Sequence, residues 1–147
     1  MKNIFILCAI LVSLFQESFS QECSLIYFPE LDWKESVCSD KLLDTIKVNL
    51  HFGNADIVVH NLLGKSIIRK YYNNHKFEFE GQYIEALGPL AKYVEFADPL
   101  GEAVNFISIQ KYYQPLPDGI WKYYNKEGEV IKEITYKVGI IVNTKIH

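Results

Sequence analysis

The side chains in this sequence that could do chemistry are dispersed. Its four histidines, His51, His60, His75 and His147, stand at spacings that match no zinc-ligand pattern. His51 falls on the polar side of an alternating stretch and is expected in solvent. His147, the last residue, is expected to fray. The carboxylates Glu78, Glu80, Glu85, Glu95, Asp98 and Glu102 are scattered along the chain. A glycosidase holds two carboxylates about 5 to 9 Å apart across a cleft. Glu78 and Glu80, two positions apart on one strand, satisfy the distance without supplying a cleft, so they read as a solvated face. No serine sits in a nucleophile elbow. Gly53, Gly64, Gly81 and Gly88 are isolated turn residues and form no phosphate-cradling run. The pattern assigns no catalytic residue, no metal ligand and no cofactor site, and the expectation is a protein that is not an enzyme.

The aromatic residues carry more information. Tyr71-Tyr72, Tyr112-Tyr113 and Tyr123-Tyr124 are adjacent pairs, and on a strand such a pair places one ring on each face. One ring of each pair is expected in a core. The other would lie on an outer face, in a row with its counterparts on adjacent hairpins. Rigid amphipathic rings give contact area at low entropic cost, which suits the binding of sugar or peptide. The competing reading is cross-strand aromatic pairing that only stabilises the sheet.

The start of the chain bears on compartment. Lys2 supplies a short positive region, and residues 4–15 form an apolar run broken only by Ser13. Gln16 and Glu17 turn the chain polar, and Ser18-Phe19-Ser20 places small residues at the positions a signal peptidase reads. The expectation is a cleaved signal over residues 1–20. The run is short for a membrane span, which needs about 20 apolar residues, and no basic stop signal follows it. Glu22 before Cys23 fits lipoprotein processing poorly.

Removing 20 of 147 residues leaves 127, enough for one domain with a core of its own. Lys2 and Glu17 leave together, so the net charge stays at −3. A mildly acidic domain without a basic stripe argues against nucleic acid as a partner. Cys23 and Cys38, in an oxidising compartment, read as one disulfide; two buried thiols are the alternative.

The elements that must position these residues are mostly strands. Residues 21–45 are expected to be an irregular N-terminal segment, with a short apolar run at 25–28 and a helical turn near 39–45 capped by Ser39 or Asp40. From Ile46 the period becomes two: Val48, Leu50 and Phe52 alternate with Asn49 and His51. Residues 46–147 then show strand-like stretches at short intervals. Turn signals separate them at Gly53-Asn54, Leu63-Gly64-Lys65, Asn73-Asn74, Gly88-Pro89, Asp98-Pro99-Leu100-Gly101, and Val138-Gly139. Gly81 is expected to mark a bulge, and Gly128 a left-handed position closing a hairpin loop. Pro115, Pro117, Asp118 and Gly119 read as a break. The fold class is therefore mainly β, an antiparallel meander of hairpins in a single domain over residues 21–147.

One hairpin carries a family resemblance. Gly119, Trp121, Tyr123, Gly128, Tyr136 and Gly139 form a pattern of glycine, tryptophan, paired aromatics, a turn ending in glycine, an alternating strand, then tyrosine and glycine. Residues 119–139 resemble the bacterial variant of the MORN repeat, which also occurs in YwqK-like antitoxins. Phe96, Gly101 and Tyr112 would form a degraded copy upstream, and residues 71–81 a fainter one. Stacked hairpins of this kind bury together what one hairpin cannot bury alone. The resemblance implies an interaction or scaffold module without catalytic residues. Together with the signal it leads to an exported, non-enzymatic β-repeat protein that binds an unknown protein or polysaccharide in the bacterial envelope, with no transmembrane segment after cleavage. An antitoxin or immunity-type protein and a small hydrolase are the alternatives.

Overall fold

The alternation that begins near residue 46 becomes a long antiparallel ladder. The computed structural model describes residues 21–39, 48–96 and 106–147. The signal segment, most of the expected helical turn and the turn at 98–101 lie outside these residues, and Ser39 itself is in a strand. Eleven strands are described: β1 (Glu22–Phe28), β2 (Trp33–Ser39), β3 (Val48–Phe52), β4 (Ala55–Val59), β5 (Ser66–Tyr71), β6 (Phe77–Ile84), β7 (Pro89–Phe96), β8 (Phe106–Tyr113), β9 (Leu116–Tyr124), β10 (Val130–Lys137) and β11 (Ile140–Ile146). There is no α-helix among the described residues, and none of their helices is long and apolar enough to cross a membrane.

The strands form two sheets. Seven follow the order β11-β10-β9-β6-β5-β4-β3, and four follow β2-β1-β8-β7. Three expectations are corrected here. First, the chain is not one meander. β6 pairs with β9, while β7 and β8 leave the large sheet as a hairpin of their own. Second, the N-terminal segment is not irregular. β1 and β2 are a hairpin turned by Pro29–Leu31, and β1 runs parallel to β8 where Ile26 meets Tyr113. Third, the break in the proline-rich stretch is confined to Gln114 and Pro115, between β8 and β9, and β9 runs on through Pro117, Asp118 and Gly119. Pro117 is tolerated because β10 pairs with β9 only from Gly119 onward. Pro117, which has no N–H, takes part beyond that ladder through its carbonyl, which accepts from Gly139 N at 2.8 Å.

Period-two patterning builds the core. On β4, Ala55, Ile57 and Val59 are buried and alternate with half-buried Asp56 and Val58. The same face continues through Ile68, Phe79, Tyr83, Trp121 and Ile134. The N-terminal hairpin covers it with Ile26, Phe28 and Val37. Phe28 lies 5.8 Å from the Tyr83 ring and 5.9 Å from Trp33, and Trp33 stacks on Phe52 at 4.9 Å. Each such side chain contributes about 1.5–3 kcal/mol by leaving water. Cys23 and Cys38 stand directly opposite each other on β1 and β2 and form a disulfide.

Trp121 is the centre of the packing. Its ring meets Phe79 at 6.0 Å, Tyr83 at 5.1 Å and Tyr136 at 5.8 Å, and Nε1 donates to the Gln82 carbonyl at 3.1 Å. The ring lies where a side chain at position 81 would stand. A Cβ on Gly81 would come within 2.2 Å of Trp121 Cδ2. The irregularity expected at Gly81 is a register shift between Glu80 and Gln82 in the β6–β9 pairing. Gly128 takes the expected left-handed conformation, with φ +91°. His147, expected to fray, instead donates its backbone N–H to the Ile131 carbonyl at 3.0 Å, and its Nε2 lies 3.5 Å from Glu133.

Candidate functional site

Three hairpin loops meet at one end of the large sheet, and each contains asparagine. The loop between β9 and β10 is built on Asn125. Its Oδ1 accepts from the backbone N–H groups of Glu127 (3.0 Å) and Glu129 (2.9 Å), and its Nδ2 donates to the Glu129 carboxylate at 3.0 Å. The loop between β5 and β6 is closed by Tyr72 N donating to Lys76 O at 2.8 Å, with Asn74 Oδ1 accepting from Lys76 N at 3.1 Å. The turn between β3 and β4 is Gly53-Asn54, and Asn54 O accepts from Tyr71 N at 2.8 Å.

The loops also bond to one another. Tyr72 Oη donates to Tyr124 O at 2.8 Å, Asn74 Nδ2 to Lys126 O at 3.0 Å, and Lys76 Nζ to Glu127 O at 2.6 Å. Asn54 Nδ2 donates to Asn73 Oδ1 at 2.9 Å. Asparagine suits this role because its short amide satisfies turn backbone and still reaches a neighbouring loop.

Between the loops lie two adjoining shallow depressions. One, of about 290 Å³, is lined by Asn54, Tyr71, Tyr72, Asn73, Asn74, Glu78 and Lys126. The other, of about 320 Å³, is lined by Gly53, Asn54, Asp56, Tyr71, Tyr72, Asn73 and His75. They share Asn54, Tyr71, Tyr72 and Asn73. The Tyr71 ring stacks on Phe77 at 5.1 Å, and Phe77 in turn lies 5.7 Å from Tyr124. Tyr124 Oη donates to the Glu80 carboxylate at 2.7 Å. Burial first, and then this carboxylate, push the Tyr124 hydroxyl up to about 12. The Tyr71 hydroxyl is also raised, by burial and by Asp56.

The six tyrosines singled out from the sequence do not form one row. Tyr71, Tyr72 and Tyr124 gather at the loop end. Tyr123 packs against the core side, at 5.9 Å from Phe79. Its hydroxyl is raised by burial and by Tyr136. Tyr112 and Tyr113 belong to the other sheet, where Tyr112 meets Tyr27 edge-on at 6.0 Å with Lys34 Nζ 5.2 Å from its ring. The pairs are separated because β7 and β8 depart from the large sheet. None of the six is fully buried. Asn54, Asn73, Asn74 and Lys126 were legible only as turn residues; nothing in their local sequence shows that three turns converge.

The acidic groups here have structural partners. Glu78 pairs with Lys70 at 3.2 Å, and Glu80 lies 3.9 Å from Arg69. His51, on a side chain 74% exposed, bonds Asp56 at 2.6 Å. Neither depression is lined by serine, threonine or cysteine, and no group of three or more metal-ligating side chains is found among the described residues.

A second polar cluster joins the sheets. Tyr83 Oη donates to the Glu30 carboxylate at the tip of the N-terminal hairpin, and burial followed by Glu30 raises the Tyr83 hydroxyl. These groups hold the hairpin on the large sheet and line neither depression. No protein-family description, curated protein or solved structure matches this chain.

Proposed function

We propose that this chain is an exported, non-enzymatic binding module of the bacterial envelope, built on a MORN-like hairpin at residues 119–139. The observation that carries this reading is the fixing of three loops, by bonds between them, around a depression lined with tyrosine and asparagine. A surface whose loops are already ordered loses little entropy when a ligand arrives. The disulfide between Cys23 and Cys38 supports an oxidising compartment, and the apolar run at residues 4–15 supports the route there. No convergent nucleophile, base and orienting group accompanies the loops, as an acyl-transfer site would need.

A protein partner is the second reading, and β11 favours it. It is the outermost strand of its sheet, and Ile140, Ile141, Val142 and Ile146 are all exposed on it. An apolar strand edge suits pairing with an added strand, the kind of contact that a toxin-neutralising or immunity-type protein would make.

Co-sedimentation of the processed chain with washed envelope fragments tests the reading. Retention that survives protease treatment of the fragments is expected for a polysaccharide target. Retention abolished by protease supports the protein partner. A chain left wholly in the supernatant contradicts envelope binding.

A further inference from the structure

We propose that the depression between the three loops is a binding site for a neutral saccharide. This deepens the binding reading above and rests on it. The first argument is the chemistry of the lining. No aliphatic side chain lines either depression. A peptide held by its side chains needs an apolar pocket for an anchor, and none is offered here. A peptide added as a strand needs free backbone groups, whereas the loop backbones here bond to one another and to their own asparagines.

The second argument is complementarity to a sugar. Tyr71 rests against Phe77 at 5.1 Å and lines both depressions. It is a ring fixed from behind and available to the apolar C–H face of a pyranose. Next to it, Asn54 Nδ2 donates to Asn73 Oδ1. That single bond leaves Asn54 Oδ1 and the Asn73 side-chain N–H groups without a partner among the described residues. An acceptor and a donor set side by side match vicinal hydroxyls, each of which both donates and accepts.

The third argument is charge. The two acids on the rim are already engaged, Asp56 by His51 at 2.6 Å and Glu78 by Lys70 at 3.2 Å. Lys126 is the one lysine in the lining. An anionic sugar or phosphate is normally held by a cluster of cations or a bidentate arginine, and the lining has neither. A neutral ligand fits this balance. The depressions are shallow, so single sugars should bind weakly and polymers should gain by occupying repeated sites.

The test is nuclear magnetic resonance titration of the processed chain with four probes: dextran, mannan, a β-glucan and chitooligosaccharide. Polygalacturonate serves as the anionic contrast. Saturable shifts are expected at Asn54, Tyr71, Tyr72 and Asn73 with at least one neutral probe, and not with polygalacturonate. The variant Asn73→Asp keeps the oxygen that accepts from Asn54, so the loop stays tied, but removes the free amide donors. It should weaken the neutral saccharide about tenfold, the size of one lost hydrogen bond, with its spectrum otherwise unchanged. The proposal is overturned if none of the neutral probes shifts these residues, if only polygalacturonate does, or if Asn73→Asp binds like the parent. Should the envelope fragments still retain the chain in that event, the saccharide site fails while the binding module stands. Loss of both results would remove both.

Discussion

Tyrosine is the residue that this molecule uses most deliberately, and it uses it in two ways. Some rings support others: Tyr83, Tyr123 and Tyr136 surround Trp121 and the hairpin tip, with hydroxyls turned toward Glu30 or one another. Other rings line the loop end. The raised hydroxyls have a measurable consequence at high pH. An unfolded chain gives up its tyrosine protons near the ordinary value of 10. In the folded chain Tyr124 holds its proton to about 12, and Tyr83 and Tyr123 are held higher still by burial. The folded values are raised, so the stability that these neutral hydroxyls support is fully present below pH 10. It is lost as pH climbs through the folded values. The urea midpoint should therefore be flat up to about pH 10 and fall between about 10 and 12, accompanied by late appearance of tyrosinate absorbance. Tyrosines that all ionise together near 10 in the folded chain would contradict this. At this scale the adjacent tyrosine pairs stood out in the sequence but their placement did not, and Tyr83, the tyrosine buried in the core, carried no such signal. Tyr71-Tyr72 and Tyr123-Tyr124 declare two faces by parity, but the asparagines that join them look like ordinary turn formers until the loops are assembled.

Strands were legible wherever one face is buried and the other wet. β3 alternates openly, whereas β4 and β5 stand out as short apolar stretches between turn signals; in the sheet Ile57 and Ile68 face the core and Asp56 and Arg69 face away. Pairing was not legible. Alternation specifies a strand's faces and says nothing of which strand lies beside it, so β6 and β9, separated by two intervening strands, could not be matched. The N-terminal hairpin was missed for a related reason: β2 reads WKESVCS, with only Val37 buried and no sustained period. Gly81 is the element-scale feature that sequence and structure agree on, and it sets where β9 crosses β6. Filling its position forces Trp121 or the strand to move, because the added carbon would sit 2.2 Å from a fully buried ring. Gly81→Ala should cost about 1–3 kcal/mol, the range for overpacking a core. Chemical denaturation followed by tryptophan fluorescence measures it. A variant as stable as the parent would mean that the ring is not seated over this glycine.

At the scale of the whole molecule, a sheet-based core, one cross-link and an ordered loop end support the proposal of a role outside the cytoplasm. The cross-link between Cys23 and Cys38 spans 15 positions. Closing a loop of that size contributes about 3 kcal/mol in the chain-entropy model, a large share of the marginal stability of a domain this small. It clamps β1 to β2 within the N-terminal hairpin, whose Ile26 and Phe28 pack on the core of the large sheet and whose Glu30 accepts from Tyr83. That contribution exists only where thiols are oxidised, so compartment and stability are one question. The most direct measurement is the intact mass and cell fraction of the full-length chain expressed in a bacterial host. The account predicts a product that begins at Gln21, lies outside the cytoplasm, and is lighter by about 2 Da than the reduced form. An unprocessed, reduced chain in the cytoplasm would contradict it, and would leave the toxin-neutralising reading as the better one.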